Sequence, residues 1–265
     1  MRSEAAIRQI TKTRAWIAGR HDNPLFGMIS RAASMYNRAY NNELNWDFPV
    51  NGERWSLCKA LNHFQGDILD VGAYVGQWTT MARQVAQDRK IHLFEVSPVN
   101  FENLRSNLPK CDMIVANNFG LANKPGQLEL KHYVDSGDRS SLIDVDDRFA
   151  KTRIGVNVST GDDYVSTHGV KEIAYLKIDV EGFEMNVLQG FRQSFSSGII
   201  HAVQFEHGVS HVFSGHFLKD FIEFFEEWGY KVYKIFPRHW AEICYVVERD
   251  ESFAGANYIA LKPWG

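Results

Sequence analysis

The hydrophobic pattern divides the chain in two. Over the first forty residues the apolar positions recur at helical spacing. Ile7, Ile10 and Ile17 form a weak stripe, and Leu25, Met28, Ile29, Ala32, Tyr36 and Ala39 a stronger one. Asn23-Pro24 reads as the start of the second helix, with asparagine as N-cap and proline, which has no N–H to lose, at the first helical position. From Gly66 onward, short apolar runs alternate with helical stretches. Asp67-Ile68-Leu69-Asp70-Val71 reads as a buried strand, followed by a glycine turn and a helix over 77–87. Further strands are expected at 91–94, 113–116, 173–178 and 199–205, with weaker ones at 127–133 and 154–158. Ser97-Pro98 starts a helix reaching 107, and other helices are expected at 183–195 and 217–228. Residues 231–236 and 257–261 read as a closing pair of strands. This alternation predicts the α/β class, with a Rossmann-like, doubly wound, mostly parallel sheet covered on both faces. Residues 1–65 are then an N-terminal helical extension and residues 66–265 the main domain. Ligands of such sheets sit beyond the carboxyl ends of the strands, so the residues ending each strand are the ones to examine.

Composition narrows the function classes. The 265 residues are 45% hydrophobic and 23% charged, enough for a sizeable core under an ordinary polar surface. A formal net charge of −3 argues against a nucleic-acid coat, so no nucleic-acid partner is expected. The total hides an asymmetry: residues 1–40 hold seven Lys/Arg against two Asp/Glu, and the remaining 225 hold 22 against 30. Two readings of the basic extension stay open, a helical arm packed on the main domain and a surface that meets an anionic lipid or carrier-linked substrate. Such an arm also offers a surface to a second subunit, which leaves a homo-oligomer open. Cys58, Cys111 and Cys244 form no C-x-x-C pair and fit a reducing compartment better than a disulfide scaffold or zinc cluster. The longest run without Asp, Glu, Lys or Arg is 13 residues, 193–205, against about 20 for a spanning helix. Glu4, Arg8, Lys12 and Arg14 interrupt any apolar signal core. The expectation is a soluble, cytoplasmic protein.

Candidate chemistry begins at the first strand end, Asp70-Val71-Gly72-Ala73-Tyr74-Val75-Gly76-Gln77. A dinucleotide site wants G-x-G-x-x-G, but Tyr74 and Gln77 stand at the second and third glycine positions, and a bulky residue at 74 obstructs the approach of a pyrophosphate. Gly72-x-x-x-Gly76 behind an acid at 70 suits a cofactor without a pyrophosphate, such as S-adenosylmethionine. Glu95 ends the second strand, where a carboxylate accepts hydrogen bonds from both ribose hydroxyls of an adenosine. Val96 is placed to cover one adenine face, and Asn117 and Asn118 to bond its edge, although asparagines also populate turns for local reasons.

Taken in order, these segments resemble the FkbM-type methyltransferases of the class I S-adenosylmethionine-dependent superfamily. The carriers are Leu69 to Gly76, Phe94-Glu95-Val96-Ser97-Pro98 and Asn118-Phe119-Gly120-Leu121. They continue in Leu176-Lys177-Ile178-Asp179-Val180-Glu181-Gly182-Phe183-Glu184, Val187-Leu188-Gln189-Gly190, Phe205-Glu206-His207-Gly208 and Asn257-Tyr258-Ile259-Ala260. Tyr74 and Val96 depart from the family's more frequent asparagine and proline. The resemblance implies that residues 66–265 are a class I methyltransferase domain, with a seven-stranded sheet whose last strand is antiparallel. It also implies methyl transfer to a hydroxyl, often that of a sugar in a glycan or polysaccharide, or of a natural product.

Such a transfer needs alignment and a proton acceptor. The expected candidates end two strands: Asp179 and Glu181 after 173–178, and Glu206 and His207 after 199–205. His207 leads, because imidazole titrates nearest working pH. Asp179 follows, with binding of the cofactor's amino group as its alternative role, and Lys177 is placed to hold a polar or acidic acceptor. Glu181 has a plainer reading as the cap of the helix near Phe183. The cofactor-binding set is thus Asp70, Gly72, Ala73, Tyr74, Gly76, Glu95, Val96, Asn117, Asn118 and Asp179. An acidic pair with a histidine also suits a divalent metal, but the spacing is no recognised ligand motif and none is expected. Arg139-Ser140-Ser141, flanked by Asp135, Asp138 and Asp144, reads as a solvated loop or as lining of the acceptor pocket. The competing functions are a nicotinamide-dependent oxidoreductase, which Tyr74 and Gln77 oppose, and a catalytically silent binding domain.

Overall fold

The computed structural model describes residues 4–133, 140–144 and 151–264. Asp135, Asp138 and Arg139 therefore lie outside the described residues. The chain forms two compact units, residues 1–44 and 45–265. The first holds α1 (Glu4–Ala18) and α2 (Pro24–Tyr40). The Asn23 side chain accepts from the Leu25 N–H at 3.0 Å, so α2 starts where the Asn-Pro pair predicts.

The second unit runs α3 (Glu53–Leu61), β1 (Asp67–Val71), α4 (Gln77–Val85), β2 (Ile91–Phe94), α5 (Pro98–Asn107), β3 (Ile114–Asn117), β4 (Gly120–Leu121), β5 (Gly126–Tyr133), β6 (Ser140–Ser141) and β7 (Lys151–Ser159). It continues with α6 (Gly161–His168), β8 (Ile173–Ile178), α7 (Glu184–Gln189), α8 (Arg192–Ser197), β9 (Ala202–His207), α9 (Ser210–Ser214) and α10 (Leu218–Glu227), then β10 (Lys231–Phe236), β11 (His239–Glu242), α11 (Val247–Asp250) and β12 (Ala256–Leu261). The expected extension of residues 1–65 is thus divided. Its last helix, α3, belongs to the larger unit, where Leu57 and Ala60 are fully buried with Ile68 of β1 and Tyr175 of β8.

The main sheet has the order β11-β10-β12-β9-β8-β1-β2-β3. From β3 to β9 all pairings are parallel; β12 is antiparallel to both neighbours, β9 and β10. The sheet has eight strands rather than the seven implied by the resemblance. The chain turns back at Pro237-Arg238, pairing Phe236 with His239, and Trp240 of the extra strand packs edge-on against Trp55 of α3 at 5.2 Å. The weaker expected strands at 127–133 and 154–158 exist as β5 and β7, but in a separate four-stranded sheet, β4-β7-β5-β6.

Period-2 alternation sends successive residues of each main strand to opposite faces. Ile68, Tyr175 and Ala202 face α3 and α4, whereas Leu69, Leu176, Phe205 and their neighbours meet α7, α8 and α10. The helix expected at 183–195 is broken into α7 and α8 around Gly190. A Cβ on Gly190 would stand 2.2 Å from the Ala122 carbonyl oxygen, so the chain passes that backbone closely.

Candidate functional site

A cavity opens beyond the carboxyl ends of β1, β2 and β8. Its floor is the turn after β1. The Gly72 and Ala73 N–H groups both donate to the Phe94 carbonyl at 3.0 Å, which draws the turn over the end of β2. Gly72 has φ +86°, and a Cβ there would lie 1.8 Å from the Asp179 carbonyl oxygen, so no side chain fits. Tyr74, at φ 50°, donates its N–H to Glu95 Oε2 at 2.8 Å, and Ser97 donates its N–H to Glu95 Oε1 at 2.8 Å. Each Glu95 oxygen thus holds one backbone donor, and the Asn100 side chain hydrogen-bonds the same carboxyl. Burial pushes the Glu95 carboxyl up to about 7, against the opposing pull of its backbone donors from Ser97 and Tyr74.

The cavity brings together six of the expected residues: Gly72, Tyr74, Glu95, Val96, Asp179 and Glu181. Val96 packs closely on Gly120, where a Cβ would come within 3.1 Å of Val96 Cγ2 and 3.3 Å of Val158 Cγ1, so the two strand ends meet without room for a side chain. The remaining expected residues serve the frame. Asp70 is fully buried, accepting from Thr79 Oγ1 of α4 at 2.6 Å and lying 3.7 Å from Lys177 Nζ. Ala73 packs with Leu93 and Leu104, and Gly76 is the left-handed N-cap of α4. The Asn117 amide donates to the Leu93 carbonyl at 2.9 Å and reaches the Tyr164 hydroxyl at 3.2 Å, while the Asn118 amide donates to the Glu95 carbonyl at 2.9 Å. Both amides hold backbone in place, and neither residue lines the cavity.

The strand-end set divides by sheet face. Asp70, Lys177, Gln204 and Glu206 share one face through the registers Asp70↔Lys177 and Lys177↔Gln204, with Asn257 opposite Glu206 on β12. Lys177 is buried and donates to Asp179 Oδ2 at 3.1 Å. Burial pulls its ammonium down, but the nearby charges of Asp179, Asp70 and Glu53 outweigh that and lift it above its ordinary value. Burial, then the charges of Asp179, Glu181 and Glu184, push Glu206 well above the usual carboxylate range, and it is hydrogen-bonded to Asp179. Glu206 therefore holds its proton more tightly than an ordinary carboxyl, and Asp179 is hydrogen-bonded to both Lys177 and Glu206.

His207, one residue on, points to the other face. It lies among Phe221, His211, Phe253 and Tyr258, its ring 2% exposed and absent from the cavity lining. Burial and then the His211 charge push its imidazole down to about 3, so it is neutral at working pH. The alternation thus places His207, expected as the base, on the face away from the cavity. Glu181 is likewise no helix cap. Glu184 Oε1 accepts from the Val180 N–H at 2.9 Å, while Glu181 sits at φ 54° with its carbonyl accepting from Ser141 Oγ at 2.8 Å.

That contact shows what the sequence reading missed. Leu130 and Ser140 of the separate sheet wall the cavity, with Leu142 just after β6, Asn100 of α5 and Phe183. Gly120-Leu121 stood among the resemblance-carrying segments without a role, and Ser140 stood in a stretch read chiefly as a loop. A further residue, Trp46, is more than half exposed and rests on Gly255. Its Cη2 is 2.9 Å from where a Gly255 Cβ would stand, and Glu206 Oε1 is 3.3 Å from the same point. An open indole thus stands across Gly255 from Glu206, outside the cavity lining. Among the described residues, no group of three or more His, Cys, Asp or Glu side chains is arranged to hold a metal ion, and no helix is long and apolar enough to cross a membrane.

The family model described as Methyltransferase FkbM domain matches residues 70–232. The hexuronic acid methyltransferase AglP of Haloferax volcanii is 22% identical over 209 residues, covering 77% of this chain and 84% of that protein. The solved structure of Methyltransferase FkbM from Methylobacillus flagellatus KT aligns at 13% identity and a TM-score of 0.46, over 74% of this chain and 43% of that one. SMU.1697c, a putative methyltransferase from Streptococcus mutans in complex with SAH, aligns at 7% identity and a TM-score of 0.46, over 80% and 98%.

Proposed function

This chain belongs to the FkbM methyltransferase family, and from that premise we propose that it transfers a methyl group from S-adenosylmethionine to a hydroxyl of a sugar. The observation that carries the reading is the distribution of carboxylates around one cavity. Glu95 stands at one wall, and Asp179, backed by Glu206 and Lys177, at the other.

The cavity suits an adenosine-bearing donor without pyrophosphate. Glu95 is placed to accept from the ribose hydroxyls, and Val96 on the cavity wall offers an apolar face to the base. Gly72 leaves the floor free of side chains, whereas Tyr74 at the second glycine position opposes a pyrophosphate. Bound there, S-adenosylmethionine supplies a methyl group already activated by its sulfonium. The chain supplies alignment, which reaches about 7–11 kcal/mol in favourable cases, and an acceptor for one proton.

Asp179 is the residue for that proton. A carboxylate is a weak base, and a weak base suffices, because an alcohol oxygen becomes strongly acidic as its new C–O bond forms. Asp179 accepts a hydrogen bond from the attacking hydroxyl, aims its oxygen, and takes the proton late. Glu206 and Lys177 position the carboxylate. Trp46 favours a pyranose over other alcohols: sugar C–H bonds lie against the negative face of an indole while the hydroxyls reach carboxylates beside it.

The relative's name adds a second form of the reading. A hexuronic acid offers hydroxyls and a carboxylate, and both oxygens accept methyl groups. The described cavity lining carries Glu95, Asp179 and Glu181 and no Lys, Arg or His, which favours the uncharged hydroxyl. The test incubates the chain with methyl-labelled S-adenosylmethionine and methyl glycosides of neutral hexoses and of hexuronic acids. An alkali-stable labelled ether, reduced more than about 100-fold by Asp179→Asn, supports the proposal. Alkali-labile label would mean an ester and transfer to carboxylate; no label on any sugar would remove the sugar reading.

A further inference from the structure

Helix α2 carries its apolar residues on one side. At 100° per residue, Leu25, Met28, Ile29, Met35, Tyr36 and Tyr40 fall within an arc of about 140°, with Ala32 and Ala39 inside it. All six large side chains are more than half exposed, and no residue of α2 is buried. The opposite side is Ser30, Ser34 and Asn37, and Arg31 and Arg38 stand at the arc's edge, next to Met35. Within this unit α1 meets α2 elsewhere: Phe26, outside the arc, packs edge-on against Trp16 at 5.2 Å, and Arg20 covers Trp16 at 4.1 Å. The apolar arc is therefore not the face that α1 covers.

Charge and side-chain type select the occupant. Residues 1–40 carry seven basic against two acidic groups, so a second copy of the same helix would bring like charge to like charge. An anionic lipid surface brings the opposite charge. The two edges of the arc suit such a boundary: tyrosines span an apolar and a wet phase, and arginines lay an apolar stem on the acyl region while the guanidinium reaches phosphate. A one-sided helix flanked by basic residues, too polar to span, lies in the plane of the interface. We propose that α2 docks in the plane of an anionic lipid surface, its Leu25–Met28–Ile29–Met35 side entering the acyl boundary and Arg31 and Arg38 meeting lipid phosphates. This is independent of the reading of the cavity. With that reading, it would bring the domain to acceptors carried on lipids.

The full chain is sedimented with vesicles of phosphatidylcholine alone and of phosphatidylcholine with phosphatidylglycerol. Binding is expected only to the anionic vesicles, weakening as salt rises. Arg31→Gln with Arg38→Gln should lower it by more than about tenfold, at roughly fivefold per charge. Ile29→Asp should abolish it, while far-ultraviolet circular dichroism and Tm, measured on the same sample, stay unchanged and show that the variant is folded. Absence of binding to anionic vesicles overturns the proposal, as does binding indifferent to either substitution. A dimer in gel filtration that Ile29→Asp dissociates would assign the face to a second copy and equally overturn it.

Discussion

Glu95 gives the sharpest quantitative expectation. Its carboxyl is raised from 4.5 to about 7, first by burial, because its backbone donors only partly replace the water it has lost. The folded chain therefore holds this proton more tightly than the unfolded chain does. Between about pH 4.5 and pH 7 the folded state binds more protons, so its stability falls as pH rises through that window. A tenfold change in proton affinity is worth about 1.4 kcal/mol, so the group's contribution over the window is about 3 kcal/mol. Asp70, Glu53 and Glu206 are raised in the same direction, so the whole-protein curve has several sources. Glu95→Gln isolates one of them. Chemical denaturation from about pH 5 to about pH 8 should show the wild type losing about 3 kcal/mol more than Glu95→Gln. The amide sets a donor against one of the two N–H groups, so the variant should start about 1–3 kcal/mol less stable at the acid end. Affinity for S-adenosylhomocysteine should move the opposite way, rising by up to tenfold per pH unit below about pH 7 as the carboxylate forms, and stay low in the variant. Parallel stability curves for the two proteins, with an affinity flat across the window, would refute this account of Glu95.

Three other expectations follow from the same geometry. Gly72→Ala drives a Cβ into the Asp179 carbonyl and should cost at least about 2 kcal/mol, or roughly 4–8 °C in Tm, along with cofactor binding; a near-native Tm would contradict the contact. His207 is held neutral by burial, its imidazole lowered from 6.5 to about 3, so the unfolded chain binds the proton first and stability falls as pH drops through that window. His207→Phe should flatten this acid limb and leave the methyl-transfer rate within about threefold, whereas a fall near the 100-fold expected of a lost base would restore histidine to the mechanism. Trp46→Ala should raise the acceptor KM at least about tenfold, with Trp46→Phe recovering much of it and S-adenosylhomocysteine affinity unaffected; equal loss of both ligands would make Trp46 structural.

The frame of the domain was legible wherever burial is two-sided or punctuation is strong. β1, β2, β8 and β10 occupy the expected residues, and α2 and α5 start at their Asn-Pro and Ser-Pro pairs. At the site, the Gly72 turn and Glu95 were readable because their chemistry is local: a backbone position without room and a strand-end acid. What the pattern hid depends on direction and on distant contacts. His207 and Glu206 adjoin in sequence, and an expected strand ending at 205 leaves their facing open. Once β9 runs to His207, alternation places them on opposite faces. Asn117 and Asn118 looked free at a strand end, yet both amides bond backbone carbonyls of β2 or just beyond it. β6, two residues long, carries no periodic signal, though it puts Ser140 at the cavity and Ser141 on the Glu181 carbonyl. Trp46 lies far in sequence from Gly255, and nothing in the run Asn45-Trp46-Asp47 marks it as a neighbour of Glu206.

The central claim is that the cavity between Glu95 and Asp179 binds an adenosine methyl donor rather than a dinucleotide. Calorimetric titration of the full chain with S-adenosylhomocysteine and, separately, with NAD tests it most directly. The account predicts one S-adenosylhomocysteine per chain with micromolar affinity, lost in Glu95→Ala, and no heat with NAD. Binding of NAD, or of neither ligand, would contradict it.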